Sequence, residues 1–281
     1  MTGPHESGGD RETPPTPPTP PTPPTPSRRT LGALLVGSLL ALLGSAAAPA
    51  IELHSDTALA AWAVSLSGGY FGIPVVLVLG VAWISCTGRF PGRRKEMAVV
   101  LTGVLLGVLG AAAWSNDHVL KPAFAVPRPH LKELARLCVI PSTPEFYALD
   151  DKEGRTKDLR HLFTTQPAAA LLPKFHPLIR EHWLVQTGYS FPSGHALASF
   201  TIATAFTLLG FRFRPQPERL LVLLMPWAVL VGWSRLLLQV HSTADITGGG
   251  LFGILLGLLV YRIVLWWLNF RQAAIQSQIR D

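Results

Sequence analysis

The sequence predicts an all-α integral membrane protein, a six-helix bundle with a partly helical insertion between the third and fourth helices. Two observations carry this prediction: six long apolar runs, and a scarcity of charged residues. Of the 281 residues, 48% are hydrophobic and 15% are charged, whereas soluble globular domains carry about 25% charged residues. We therefore expect lipid to be the solvent for much of the chain.

Residues 1–27 form a tail of different composition. It holds a strict Pro-Pro-Thr repeat from Pro14 to Pro26, which fits neither a helix nor a sheet and favours extended polyproline II. We expect a disordered cytoplasmic tail, with a docking site for a proline-reading module as the alternative. Acidic and proline-rich sequence before the first apolar run argues against a signal peptide. Residues 28–281 are then expected to form one membrane domain.

Six apolar runs follow the tail, each near the roughly 20 residues that a helix needs to cross the hydrocarbon layer. They lie at about 31–51, 69–88, 97–116, 194–211, 219–238 and 246–269. The first is the weakest as a span, because alanine and other small residues dominate it. In the sixth, we expect Gly248, Gly249 and Gly250 to allow close helix packing rather than to bind phosphate.

The short loops set the expected orientation. Lys and Arg residues precede the first run, separate the second from the third and the fourth from the fifth, and follow the sixth, whereas the loop between the first two runs has none. The positive-inside rule therefore puts both termini in the cytoplasm. The hydrophilic stretch His118–Phe191 then lies outside, and we expect its part at about 130–189 to be a periplasmic insertion with helices of its own.

The charge and the cysteines exclude two other interpretations. The net charge of +7 could indicate nucleic acid binding, but the positive residues lie in short clusters between apolar runs and form no basic face or arm. Nucleic acid is therefore not an expected partner. Cys86 and Cys138 fall on opposite sides of the membrane in this topology, so we expect no disulfide.

Three polar clusters fall at the outer ends of the predicted spans. One runs from Lys121 to Pro129, the second is Phe191-Pro-Ser-Gly-His195, and the third joins Ser234-Arg235 to His241 and Asp245. The topology alone brings all three to one face of the membrane. Lys121, Arg128 and Arg235 supply cations, and arginine suits bidentate contact with phosphate oxygens. Ser193 and Gly194 stand at a predicted helix N-terminus, which favours a bound anion.

The histidines of these clusters suggest a nucleophile and an acid. His241 and Asp245 are four residues apart and would share one face of a helix. A carboxylate on one ring nitrogen fixes the tautomer and leaves the other nitrogen free to attack. His195 could then protonate the departing oxygen. The alternative for His241 and Asp245 is half of a metal site, but no second carboxylate or cysteine cluster accompanies them.

The pattern Lys-x6-Arg-Pro, Pro-Ser-Gly-His and Ser-Arg-x5-His-x3-Asp, from Lys121 to Asp245, resembles the signature of the type 2 phosphatidic acid phosphatase superfamily at every position. Within it, Glu145-Phe146-Tyr147 and the stretch from Arg180 to Gly188 are similar to bacterial phosphatidylglycerophosphatases of the B type. The resemblance implies an inner-membrane lipid phosphatase that needs neither metal nor cofactor. Its implied substrates are phosphatidylglycerophosphate, undecaprenyl diphosphate, phosphatidate, lysophosphatidate and diacylglycerol diphosphate.

The resemblance also implies a role for each site residue. His241 would form a phosphohistidine, Asp245 would orient it and His195 would donate the proton. The phosphoryl group would be bound by Lys121, Arg128, Ser193, Gly194 and Arg235.

Two other classes of function stay open: a vanadium haloperoxidase, which shares the signature but resembles soluble proteins, and a lipid transporter or scaffold without activity. Mere anion binding does not need an oriented nucleophile, which disfavours the second. Outside the signature, Glu145, Tyr147 and Trp183 are candidates for framing the substrate entrance. Asp117 is expected to cap a helix or face water. His118 is expected, like Asp117, to cap a helix or face water. The other loop histidines are interpreted as solvated or locally bonded: His54, His130, His161, His176 and His182.

Overall fold

The computed structural model describes residues 28–47, 55–88, 93–149, 151–164, 176–213 and 223–280. The predicted tail, 1–27, lies outside these ranges. Within them the chain is helical and has no β-strand. The α-helices are α1 (Arg28–Gly44), α2 (Asp56–Ser67), α3 (Gly72–Thr87), α4 (Arg94–Ser115), α5 (Lys121–Phe124), α6 (Pro129–Arg136), α7 (Thr143–Ala148), α8 (Lys152–Leu162), α9 (Pro177–Leu184), α10 (Gly194–Phe213), α11 (Leu224–Leu237) and α12 (Thr243–Arg280).

Apolar helices coincide with all six predicted runs. Among the described residues, three stretches are long and apolar enough to cross a membrane: Arg94–Phe124, α10 and the Thr243–Ala274 part of α12. The first of these joins α4 to α5 through a π-helical turn, Asn116–Leu120. Helices α2 and α3 meet the criterion only together, with a bend of 53° between them. Helices α1 and α11 are apolar but shorter.

Helix α2 is not predicted by the sequence, because its residues fall in the stretch interpreted as the loop between the first two runs. Its 12 residues extend only about 18 Å, too short to be recognised as a span. Ser55 caps its N-terminus by accepting a hydrogen bond from the Ala58 N–H at 3.3 Å. Gly68 ends it, and the corner to α3 follows. The second run therefore begins as a separate helix after this corner.

Helix α10 is the centre of the bundle and packs against α3, α11 and α12. It is buried along almost its whole length, with large side chains such as Phe200 and Phe206 at 0% exposure. On one side, apolar residues of α3, α4 and α12 enclose it. On the other, residues of α1, α11 and α12 do so. This central position fixes the N-terminal end of α10 relative to its neighbours.

Glycines let α12 approach α10 at backbone distance. A Cβ atom added to Gly249 would lie 2.5 Å from the Ser193 carbonyl oxygen, and one added to Gly253 would lie 2.5 Å from the Leu197 carbonyl oxygen. A Cβ atom added to Gly248 would meet the ring of Phe191, and one added to Gly250 would meet the side chain of Leu42. The packing role expected for Gly248–Gly250 is therefore confirmed.

The substitution Gly253→Ala should destabilise the fold, because the new methyl group meets backbone that cannot move aside. Overpacking of this kind costs about 1–3 kcal/mol, and we expect a lower melting temperature for the purified protein in detergent. Gly107→Ala on α4 is the matched control, since nothing lies within 4 Å of a Cβ there. Equal melting temperatures for the two variants would contradict the proposed packing.

Helices α6 to α9 form a second layer, which falls in the segment predicted to be a partly helical insertion. Its apolar core joins these helices to α2 and to the turn after α11. Trp183 lies at its centre, 2% exposed, and donates its indole N–H to the Leu238 carbonyl oxygen at 2.9 Å. Through this bond α9 is attached to the turn that leads into His241.

His130 lies inside this second layer, contrary to the expectation of a solvated or locally bonded residue. It is 0% exposed, and neither ring nitrogen has a hydrogen-bond partner within the described residues. Its ring contacts that of Trp183, with 5.0 Å between centroids. The sequence position of His130, next to Arg128 and Pro129 in a polar loop, does not indicate that the residue is buried. Burial, followed by the positive charge of Arg128, lowers the pKa of His130 well below 6.5.

The substitution His130→Phe should make the fold less sensitive to acid. Below about pH 6.5 the unfolded chain binds a proton at His130 and the folded chain does not. The free energy of unfolding therefore falls as the pH is lowered, by about 1.4 kcal/mol per pH unit until the folded pKa is reached. Phenylalanine retains an aromatic ring and cannot titrate. The melting temperature of the variant should therefore drop less than that of the wild type between about pH 7 and about pH 5. A drop in melting temperature equal to that of the wild type would contradict this explanation. So would an equally reduced drop in the His161→Phe variant, since His161 is an exposed residue of α8.

Candidate active site

The three predicted clusters meet at one end of the bundle, where α10 and α12 begin and α11 ends. The Ser193 N–H donates to the Asp245 carbonyl oxygen at 3.0 Å, and the Ser190 N–H donates to the Val126 carbonyl oxygen at 2.9 Å. The guanidinium of Arg128 donates to the Val240 carbonyl oxygen at 3.0 Å. Each cluster is therefore bonded to another one, although they are far apart in sequence.

His241 lies at the centre of this arrangement and is 2% exposed. Its Nε2 is 3.3 Å from Nη1 of Arg128. A guanidinium can only donate, so Nε2 is the acceptor and carries a lone pair. The proton of the neutral ring is then on Nδ1, which lies 3.7 Å from Oδ2 of Asp245. This is the tautomer that a nucleophile needs, with the unprotonated nitrogen next to Arg128.

Asp245 is held by other bonds than the one expected. Its Oδ2 accepts the Ser242 N–H at 2.6 Å, and its Oδ1 accepts the Ser190 hydroxyl at 3.3 Å. The distance of 3.7 Å to the His241 ring exceeds a hydrogen bond, although catalytic bonds are often long without substrate. The prediction that both residues lie on one helix is wrong, because α12 begins at Thr243 and His241 precedes it. The turn before the helix brings the two side chains together instead.

The surroundings of His241 keep its ring neutral. Burial, followed by the positive charges of Arg128 and Arg235, lowers the pKa of His241 well below 6.5. The charge of Lys121 acts in the same direction. A neutral imidazole is the nucleophilic form, so the cations that would bind a phosphate also keep the His241 ring in that form.

Arg128 connects His241 to the second layer. Its Nε donates to the Gly188 carbonyl oxygen at 2.7 Å, while Nη1 faces His241. Its backbone N–H donates to the Tyr147 hydroxyl at 3.3 Å, which in turn donates to the same Gly188 carbonyl at 3.3 Å. Burial lowers the pKa of Arg128 to about 10, so the side chain stays charged at neutral pH. Arg128 is thus a fixed positive charge beside His241.

Arg235 is fully buried, at 0% exposure, and among the described residues only one of its terminal nitrogens, Nη1, has hydrogen-bond partners. Nη1 donates to the Ser65 hydroxyl at 2.5 Å and contacts Nε2 of His182 at 2.9 Å. Within the described residues, Nε and Nη2 have no hydrogen-bond partner, and neither has the buried Ser193 hydroxyl. Buried polar atoms are rarely left unpaired. These unpaired groups are therefore suited to a bound anion, and the Nε/Nη2 edge matches two phosphate oxygens.

The N-terminus of α10 adds backbone donors, as the sequence predicts. The helix begins at Gly194, directly after Ser193, so its first N–H groups are free for an anion. His195 follows in the first turn. A Cβ atom added to Gly69 would lie 3.1 Å from Nε2 of His195, so the corner between α2 and α3 borders this ring.

Lys121 is placed differently from the other cations. Its Nζ pairs with Oδ1 of Asp117 at 2.5 Å, and the side chains are 17% and 51% exposed. Asp117 is therefore the ion-pair partner of Lys121, a role that the sequence did not indicate.

Within the described ranges, no group of three His, Cys, Asp or Glu residues could hold a metal ion.

Sequence reasoning missed the residues that support the two arginines. His182 was interpreted as solvated or locally bonded, and Ser65 was not considered. Of the residues proposed to frame the entrance, Tyr147 contacts Arg128, whereas Trp183 is buried and Glu145 is exposed. The similarity of the Tyr147 segment to known phosphatases was the one signal available. No spacing rule could have connected Ser65 or His182 with Arg235.

The chain is similar to known proteins. The profile described as PAP2 superfamily matches residues 97–269. Phosphatidylglycerophosphatase B of Escherichia coli K12 is 29% identical over 180 residues, 63% of this chain and 63% of that protein. The Haemophilus influenzae protein of the same name is 29% identical over 174 residues, 60% of this chain and 64% of its own. The chain thus spans less than two thirds of the length of these relatives.

Two further similarities are more limited in extent or identity. Sphingosine-1-phosphate phosphatase 1 of Rattus norvegicus is 33% identical over 101 residues, 36% of this chain and 24% of that protein. The solved structure of a transmembrane PAP2-type phosphatidylglycerolphosphate phosphatase from Bacillus subtilis superposes with a TM-score of 0.45 at 18% identity. It covers 84% of this chain and 87% of its own.

Proposed function

Because the chain belongs to the PAP2 superfamily, we propose that it is a membrane lipid phosphatase that removes the terminal phosphate of phosphatidylglycerophosphate or undecaprenyl diphosphate. The observation that carries the proposal is the site itself. A buried His241 with its unprotonated nitrogen beside Arg128 lies in the same cluster as the Nε/Nη2 edge of Arg235, which has no partner among the described residues. The names of the bacterial relatives support phosphatidylglycerophosphate as a substrate. Phosphatidate, lysophosphatidate and diacylglycerol diphosphate offer the same terminal group.

The proposed reaction has two steps. Nε2 of His241 attacks phosphorus while the bond to the lipid oxygen breaks, and His195 gives its proton to that oxygen. Water then attacks the phosphohistidine, returns a proton to His195 and releases inorganic phosphate. Arg128, Arg235, Lys121, Ser193 and the Gly194 N–H stabilise the charge on the transferring phosphoryl group. We propose that these cations make a metal ion unnecessary.

Asp245 has a supporting role in this reaction. When His241 bonds to phosphorus, its ring becomes an imidazolium, and a carboxylate beside Nδ1 stabilises that charge. The bonds from Ser242 and Ser190 keep the carboxylate directed towards the ring. We expect the separation of 3.7 Å to shorten when the phosphoryl group arrives.

The chain is a multi-pass membrane protein. We propose six crossings of the bacterial inner membrane, formed by α1, the α2–α3 pair, α4 with α5, α10, α11 and α12. Both termini, including the tail 1–27, would lie in the cytoplasm. The site and the insertion at about 130–189 would then face the periplasm, where the phosphate of an outer-leaflet lipid meets the cations while its chains stay among the helices.

The test is phosphate release by the purified protein in detergent with EDTA present. Phosphatidylglycerophosphate and undecaprenyl diphosphate are offered in parallel. Phosphatidylglycerol, whose phosphate is a diester, is the control substrate. We expect release from the first two and none from the third. No release from any terminal phosphate by folded protein would overturn the proposal in favour of a lipid transporter or scaffold, and a requirement for metal would overturn the proposed mechanism.

A further inference from the structure

Arg235 is held from two sides by residues outside the sequence motifs. Ser65 belongs to α2, and His182 belongs to α9 of the second layer. Both contact the same nitrogen, Nη1, at 2.5 Å and 2.9 Å. Helices α2 and α9 also pack against each other, so the two contacts come from one connected support.

The chemistry of these contacts fixes the orientation of the guanidinium. Arginine has no acceptor, so Nε2 of His182 accepts one Nη1 hydrogen and the Ser65 hydroxyl accepts the other. With Nη1 fully used, the side chain cannot rotate without losing a bond to a charged donor. The opposite edge, Nε and Nη2, is left without a partner among the described residues. That edge is the one that binds two phosphate oxygens at once.

We propose that His182 is a positioning residue of the phosphate site, through which the second layer holds Arg235 in the orientation that binds phosphate. The inference rests on the proposed function, which makes Arg235 a ligand of the phosphoryl group. Only a neutral ring can accept from arginine. Burial, followed by the charges of Arg235 and Arg128, lowers the pKa of His182 to about 3, so the ring is neutral at physiological pH.

The experiment measures binding of inorganic phosphate to the purified full chain, from the rise in melting temperature with phosphate concentration. His182→Leu removes the acceptor, whereas His182→Gln retains one at similar size. His161→Ala, an exposed histidine of α8, is the control. We expect His182→Leu to weaken phosphate binding about tenfold, as loss of a bond to a charged donor would. His182→Gln should recover most of the affinity, and His161→Ala should match the wild type.

The same comparison in an Arg235→Ala background separates positioning from general support of the fold. If His182 acts through Arg235, His182→Leu should weaken phosphate binding no further there. An equal further loss of phosphate affinity in that background would overturn the proposal. A His182→Gln variant that binds phosphate no better than His182→Leu would also overturn it. A wild type that phosphate does not stabilise would also count against it. If His182→Leu cannot be purified, His182→Ala replaces it in both backgrounds.

Failure of this inference and failure of the proposed function give different results. A protein that binds phosphate through Arg235 and His182 but releases none from any lipid contradicts the function alone. A protein that hydrolyses the lipids, with a His182→Leu variant indistinguishable from His161→Ala, contradicts the inference alone.

Discussion

The substitution His241→Ala is expected to abolish phosphate release, with kcat lower by a factor on the order of 10⁴ or more, as for other enzymes that lose their nucleophile. The loss follows from the position of Nε2, the unprotonated ring atom 3.3 Å from Arg128, whose lone pair would attack phosphorus in the proposed reaction. Without it, water would have to attack the lipid phosphate directly. The measurement is the initial rate of phosphate release at saturating substrate.

A covalent intermediate gives a second measurement for the same substitution. Substrate labelled in its terminal phosphate should transfer label to the wild-type protein during rapid quenching, as an acid-labile and base-stable adduct. His241→Ala should show no such label, and the His161→Ala control should show as much as the wild type. Label that persists without His241, or a turnover that survives its removal, would show that another group is the nucleophile.

The substitution Arg235→Ala is expected to lower kcat/KM by a factor on the order of 10³, because removing a single preorganised donor already costs about 10²–10³. Two nitrogens of this buried side chain have no hydrogen-bond partner among the described residues, and we propose that they bind the phosphoryl group. Arg235→Lys should recover only part of the loss, since an ammonium cannot form the two-nitrogen contact. The measurement is kcat/KM for phosphate release from one lipid substrate.

The control for Arg235 is an arginine of the second layer. Arg136 is 70% exposed and pairs with Glu133, a contact of the kind that contributes less than about 1 kcal/mol. Arg136→Ala should therefore leave kcat/KM unchanged. A similar rate for the two variants would show that Arg235 serves the fold rather than the phosphoryl group.

The sequence predicts the convergence of the site well, because membrane topology restricts where helix ends can lie. With helices that cross in alternate directions, Ser193 and Asp245 fall at the same end of the bundle, and they are bonded to each other. The residue types then indicate the chemistry. Arginines, histidines and a helix N-terminus that fall at the same end of the bundle can be identified from the sequence alone.

What the sequence does not show depends on tertiary packing. His182 and His130 lie in similar polar surroundings in the sequence, yet one accepts from Arg235 and the other is enclosed beside Trp183. A single histidine in a loop carries no periodicity that distinguishes these environments. Helix α2 is not predicted for a different reason: a short apolar helix joined to the next one at a bend lacks the length that identifies a membrane span. The bond from Ser65 to Arg235 could not be anticipated without that helix.

The glycine contacts between α10 and α12 have a mechanical consequence. Where two helices touch through backbone atoms, as at Gly249 and Ser193, neither can slide or rotate without a collision. We therefore expect the N-terminal end of α10 and the segment that carries Asp245 to move as one rigid body. We expect the amides of this pair to be the slowest in the chain to exchange their hydrogens. Under the proposed function, the movement that admits a bulky lipid and releases its dephosphorylated product is then expected in the parts of the site that this helix pair does not form.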